Sequence, residues 1–254
     1  MQSTHPSRDA SRQGTVITLI FLMALLIGAV LVASWTQRGF GTIEVSNVRY
    51  PNYNGIAIRA KLLKPLAASA QTPLPGVLYI HGYQNNRETG DAYCIELARR
   101  GFVVLNIDAI GRGNSGIPNP PDAPSFDPTY GGRSSLGYLQ NLAFVNPRAI
   151  GLMGHSMGAG MAYKVALEDP GVDALVITGF AYTLEATATN PRNLLMLIGR
   201  WDEFRQRMTG TRDILKEWMT TPQTRQVIPY ADARIGQTYG DFAQGSARRV
   251  FVPN

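Results

Sequence analysis

The sequence predicts an α/β domain with a mostly parallel, doubly wound sheet, preceded by one transmembrane helix. Apolar strand-like runs alternate with helical patterns from about residue 42 onward. A glycine-flanked serine stands where one such run turns into a helix, and twenty consecutive residues near the N-terminus carry no charge. Alternating strands and helices imply parallel pairing through right-handed crossovers. Sites in such sheets form at the carboxyl ends of the strands.

The uncharged run, Val16 to Trp35, reads VITLIFLMALLIGAVLVASW. As a helix it would be about 30 Å long, the thickness of a bilayer's hydrocarbon. It is apolar on all sides, whereas a helix on a soluble core keeps a polar stripe. Trp35 stands where an interfacial anchor belongs. A cleaved signal peptide is the alternative, with Val32-Ala33-Ser34 as a weak cleavage site, but its apolar region would be shorter. The uncleaved anchor is the favoured reading. Arg8 and Arg12 against Asp9 keep the short tail, residues 1–15, on the cytoplasmic side and place the domain outside; Arg38 and Arg49 make this bias modest.

From residue 42 to 254 the pattern is that of one soluble domain. Thr42–Val48 and Gly55–Leu62 read as a hairpin around Asn54-Gly55. A strand at 77–80 leads to a helix over 89–100, then a strand at 102–107. A Gly- and Pro-rich loop runs to about Arg133, and a helix covers 134–144. Next come a strand at 149–153, a helix from Ser156 to Leu167, strands at 173–178 and 194–198, a helical stretch over 203–219 and a last strand at 247–252.

Composition excludes several classes. The 254 residues are 44% apolar and 17% charged, an ordinary globular balance. The net charge is +6, but the arginines are scattered, with no basic cluster bearing aromatic platforms, so nucleic acid is not an expected partner. The single cysteine, Cys94, lies in an apolar helical pattern and reads as a packed thiol. Three dispersed histidines and one cysteine make no ordinary metal site, and no phosphate-binding Gly-Lys loop or other cofactor motif occurs.

Gly154-His155-Ser156-Met157-Gly158 is a G-x-S-x-G sequence between the strand ending at Met153 and a helix rich in small residues. A serine on such a turn projects at the top of the sheet, and flanking glycines let the backbones pass closely. The helix N-terminus favours negative charge developing there. With this motif the chain resembles the α/β-hydrolase family over residues 42 to 252. Three other motifs support the resemblance. After Ile80-His81-Gly82-Tyr83, it implies an oxyanion hole from the backbone N–H groups of Tyr83 and Met157. The His81 side chain reads as packed. Asp108-Ala109-Ile110-Gly111-Arg112-Gly113-Asn114-Ser115 resembles a family loop that shapes the site, so Asp108 reads as structural. Leu194 to Ile198 followed by Gly199-Arg200-Trp201-Asp202 resembles the strand end that carries the triad acid, implying Asp202, with Glu185 as the substitute.

The family order is nucleophile, acid, histidine, and here the chain departs from it. Its histidines are His5, His81 and His155, none of them after Asp202. His5 precedes the apolar helix, and His155 is expected to point away along the turn. The expectation is a fragment of a longer protein; the alternative is a hydrolase-like protein without a base. Either polypeptide should be nearly inactive, because a serine hydroxyl without its base is a weak nucleophile. Only a short stretch, Ala181 to Arg192, precedes the acid-bearing strand, leaving no room for a helical cap; the 116–133 loop is the candidate cover. A serine hydrolase acting on small-molecule or lipid-like esters is therefore expected. A peptidase of the same fold or a non-catalytic binding domain are the alternatives.

Overall fold

The computed structural model describes residues 8–254; His5 and the rest of the 1–7 tail lie outside the described residues. The chain divides into two units, 1–42 and 43–254. In the first, α1 spans Arg8–Gln37, longer at both ends than the apolar run. Its window 12–37 is long and apolar enough to cross a membrane by length and composition. Trp35 packs edge-on against Phe40, with ring centroids 5.0 Å apart.

In the second unit nine strands form one sheet in the order β1-β2-β4-β3-β5-β6-β7-β9-β8. The strands are β1 (Ile43–Pro51), β2 (Ala57–Pro65), β3 (Leu74–Ile80), β4 (Val103–Asp108), β5 (Val145–His155), β6 (Ala174–Thr178), β7 (Leu194–Leu197), β8 (Thr238–Tyr239) and β9 (Arg248–Phe251). Pairing is parallel from β4 through β3, β5, β6 and β7 to β9. It is antiparallel in the β1–β2 hairpin, between β2 and β4, and at the β8 edge. The expected hairpin and parallel sheet are both present.

The central strands are apolar on both faces because helices cover both. Leu78, Leu105, Leu152 and Ile177 face α3 (Gly132–Gln140) and α4 (Met157–Glu168) in the larger core. Val77, Tyr79 and Val104 face α2 (Asp91–Arg99) on the other side. Cys94 is fully buried there, and burial pushes its thiol pKa up, so it is a packed thiol. Beside α2 the sheet is incompletely covered: a recess of about 600 Å³ opens there, floored by Val77, Gly151, Met153, Ala174 and Val176.

The structure departs from the sequence expectations at element ends. β5 starts at Val145 rather than 149, because Val145 and Asn146 pair with Leu74 and Pro75 before a register shift. The 203–219 stretch is broken into α5 (Arg205–Thr209) and α6 (Ile214–Glu217), with α7 (Pro222–Val227) beyond it. Gly210, at φ 78°, stops α5 in the left-handed conformation. Asp213 then caps α6, and Thr221 with Pro222 starts α7. β8, two residues long, is too short for any periodicity to reveal.

Candidate active site

The carboxyl ends of β3, β5, β6 and β7 bring the motifs together. β5 ends at His155 and α4 begins at Met157, so Ser156 alone makes the turn, at φ 51° and ψ −118°. No L-residue adopts that conformation without strain. What holds it is close backbone packing. A Cβ on Gly154 would stand 2.4 Å from the Gly158 carbonyl oxygen, and one on Gly158 would stand 2.2 Å from that of Ile80. The helix start is thus pressed against the end of β3. Ser156 N–H donates to the Thr178 carbonyl at 2.8 Å, and the Thr178 hydroxyl donates to the Gly154 carbonyl at 3.0 Å. Thr178 was not legible as a support for the turn, since nothing but its place at the end of β6 marks it.

The segment after β3 lies against the serine: a Cβ on Gly82 would be 3.4 Å from Ser156 Cβ. The backbone N–H groups of Tyr83 and Met157 have no acceptor among the described residues, and the Ser156 hydroxyl makes no hydrogen bond. The Tyr83 ring is exposed and carries the Arg112 guanidinium 5.1 Å from its centroid.

Asp108 is buried and serves the frame. Its carboxylate accepts from Arg87 N–H at 2.8 Å, Arg87 Nη1 at 3.0 Å and Asn114 N–H at 2.9 Å. Asn106 Nδ2 donates to the Arg87 carbonyl at 2.7 Å. Together they fix the loop that carries Tyr83. Arg87 belongs to no motif, so its part was invisible in the sequence.

His81 is fully buried. The Ala109 N–H donates to its Nε2 at 3.1 Å, so the proton sits on Nδ1, which donates to the Gly82 carbonyl at 2.8 Å. Burial pushes its pKa below the ordinary 6.5, opposed by the Gly82 bond. The folded state holds this ring neutral, while the unfolded chain gains a proton as pH falls below 6.5. Stability is therefore expected to decline as pH falls below 6.5, until the folded-state ring also takes up a proton, with a slope of at most about 1.4 kcal/mol per pH unit. Urea unfolding at pH 7 and pH 5 checks this: His81→Gln should remove that part of the slope, and an unchanged slope would refute it.

Asp202 follows β7, half-buried, with one carboxylate oxygen accepting from Phe204 N–H at 2.8 Å. His155 is exposed at the end of β5. Its ring lies between two glycines: a Cβ on Gly82 would be 2.9 Å from Nδ1, and one on Gly179 would be 3.2 Å from Nε2 and 3.9 Å from Asp202 Oδ2. Neither ring nitrogen is hydrogen-bonded to Ser156 or Asp202 among the described residues. Glu185 is exposed and lines a recess against α4 with Tyr163, Lys164 and Leu167, apart from the serine. The 116–133 loop is tied to the β1–β2 turn by Gly116 N–H to the Ala57 carbonyl and Asn54 Nδ2 to the Ser125 carbonyl. None of Ser156, Tyr83 and Asp202 borders the 600 Å³ recess, which lies on the sheet face away from the chemistry.

Residues 71–239 match the model of the serine aminopeptidase (S33) hydrolase family. The chain belongs to this family. The serine aminopeptidase-family match spans most of the second unit and includes Ser156 and Asp202. The chain is 34% identical over 116 residues to a serine hydrolase-like protein of Dictyostelium discoideum, covering 46% of this chain and 30% of that one. It is 31% identical over 104 residues to an uncharacterized protein of Mycobacterium tuberculosis, covering 41% and 28%. The matches thus span less than a third of each curated relative's length. Among solved structures, a bacterial heroin esterase is similar at TM-score 0.52 and 16% identity, over 90% of this chain and 80% of that one. Brefeldin A esterase is similar at 0.54 and 14%, over 84% and 68%. At these identities the likeness shows the α/β-hydrolase fold.

Proposed function

We propose that this domain is a serine hydrolase that cleaves ester-type acyl bonds through an acyl-Ser156 intermediate. The observation that carries the reading is the strained turn at Ser156, with its hydroxyl unbonded and two unengaged backbone N–H groups nearby. Ser156 Oγ attacks the acyl carbon, and a base takes its proton. The N–H groups of Tyr83 and Met157 receive the developing oxyanion, aided by the N-terminus of α4; each such donor is worth about 3–4 kcal/mol of barrier. The alcohol departs with the proton, and water then releases the acid. Asp202 orients the base and stabilises its cation.

The base is not supplied by the described histidines in this reading. His81 is locked neutral by two hydrogen bonds, and His155 is bonded to neither partner. The substrate is a small-molecule or lipid-like ester, since the short 181–193 connection adds no cap over the serine. No cofactor enters the mechanism. The apolar α1 anchors the protein in a membrane, with the domain on the extracytoplasmic side.

A fluorophosphonate probe tests the reading on the 254-residue chain and on a form carrying whatever the gene places after Asn254. Labelling of the longer form only, lost in Ser156→Ala and slowed roughly 10⁴-fold in Asp202→Ala, is expected. Labelling of the shorter chain that disappears in His155→Ala would make His155 the base. A folded longer form that never labels would overturn the hydrolase mechanism in favour of a binding domain. Turnover of p-nitrophenyl acetate against an aminoacyl p-nitroanilide separates esterase from peptidase.

A further inference from the structure

The chain after β7 gathers three arginines around one concavity. Arg200 and Trp201 follow the strand, Arg205 opens α5, and the left-handed turn at Gly210 brings Arg212 back beside them. These four residues, with Asp213 and Ile214, line a hollow of about 320 Å³. Its only carboxylate is already engaged: Asp213 Oδ2 lies 3.3 Å from Lys216 Nζ, and its side chain caps α6. None of the three guanidiniums forms an ion pair with a carboxylate among the described residues. Arg200 Cζ lies over the Trp201 ring, 4.9 Å from its centroid, which holds the guanidinium at the rim of the hollow. Arg205 Nη1 donates to the Asp202 carbonyl at 3.0 Å, which leaves its other donors free and joins the hollow to the candidate acid.

Three like charges lining one recess repel one another. They persist together at a cost that an anion would remove. Guanidinium forks match the geometry of phosphate and carboxylate oxygens, two donors to two acceptors. We propose that this hollow is a binding site for the phosphate or carboxylate group of a ligand, held by Arg200, Arg205 and Arg212. A bound anion would stiffen the turn that carries Asp202, through Arg205. The site goes beyond the hydrolase reading and does not depend on it, because binding is measured without turnover.

Inorganic phosphate is the probe, titrated calorimetrically into the full chain in uncharged detergent micelles at low ionic strength. Saturable binding is expected, weakened about tenfold or more by Arg200→Gln with Arg212→Gln and by added salt. Both side chains are exposed, so the double variant should fold, and equal thermal melting confirms it. Arg148→Gln, at the far end of β5, should bind as the wild type does. Phosphate should also change tryptophan emission, and Trp201→Phe should abolish that change. Adding phosphatidylglycerol to the micelles separates the sources. Competition that vanishes in the double variant marks a lipid headgroup as the ligand, and its absence marks a free solute. No saturable phosphate binding, or equal binding by the double variant, overturns the site.

Discussion

In a form that carries its base, Ser156→Gly is expected to melt at a higher temperature than the unsubstituted protein while losing all covalent capture by a fluorophosphonate. The residue sits at φ 51° and ψ −118°, a conformation open to glycine and costly to any side chain. Strain of this kind is worth about 1–3 kcal/mol. For a domain of this size each kcal/mol moves the midpoint by about 2–4 °C, so a rise of several degrees follows. Glycine also frees the unfolded chain, which offsets part of the gain. Catalysis moves the other way: in a form that has its base, loss of the nucleophile should lower kcat on the order of 10⁶-fold. Differential scanning calorimetry and probe labelling on one preparation check both signs. A lower midpoint would mean the turn is relaxed and that serine is there for packing alone.

Gly158→Ala is expected to do the most damage of any single methyl added to the site. Its Cβ would stand 2.2 Å from the Ile80 carbonyl oxygen and 2.3 Å from that of His81. Neither obstacle is a side chain that could rotate away; both are backbone at the end of a central strand. Either α4 lifts off β3 or the strand end bends, and both movements separate Tyr83 from Met157. A cost beyond about 4 kcal/mol is expected, in the range reserved for backbone and packing failures. Urea unfolding measures it. Gly137→Ala is the control, because a Cβ there meets nothing within 4 Å; it should be neutral or slightly stabilising. Equal stability of the two variants would contradict the close approach.

The legible parts of this protein are those written in short-range chemistry. The parallel sheet showed in runs such as Phe102 to Ile107, and the turn at Ser156 in two glycines that only a close backbone crossing requires. What stayed hidden depends on partners far apart in sequence. Arg87 reaches Asp108 across 21 positions, and Thr178 supports the serine turn across 24. Nothing local distinguishes either from a surface arginine or a strand threonine. The place of the His155 ring was equally hidden, since Gly82 and Gly179, 73 positions before and 24 after it, form the slot it occupies. The broken helices after residue 203 were missed because their apolar spacing continues through Gly210, whose left-handed backbone overrides it.

The uncovered recess beside α2 has a practical side. α1 is long and apolar enough to cross a membrane, and the alkyl tails of any detergent used with it are expected to partition also into the apolar hollow floored by Val77, Met153 and Val176. Compound libraries will behave alike. A screen that scores affinity alone is expected to collect hydrophobic hits bound in that recess, whose lining does not include Ser156. Screening by competition with a serine-directed probe avoids that, because only occupants of the Ser156 side can slow the label.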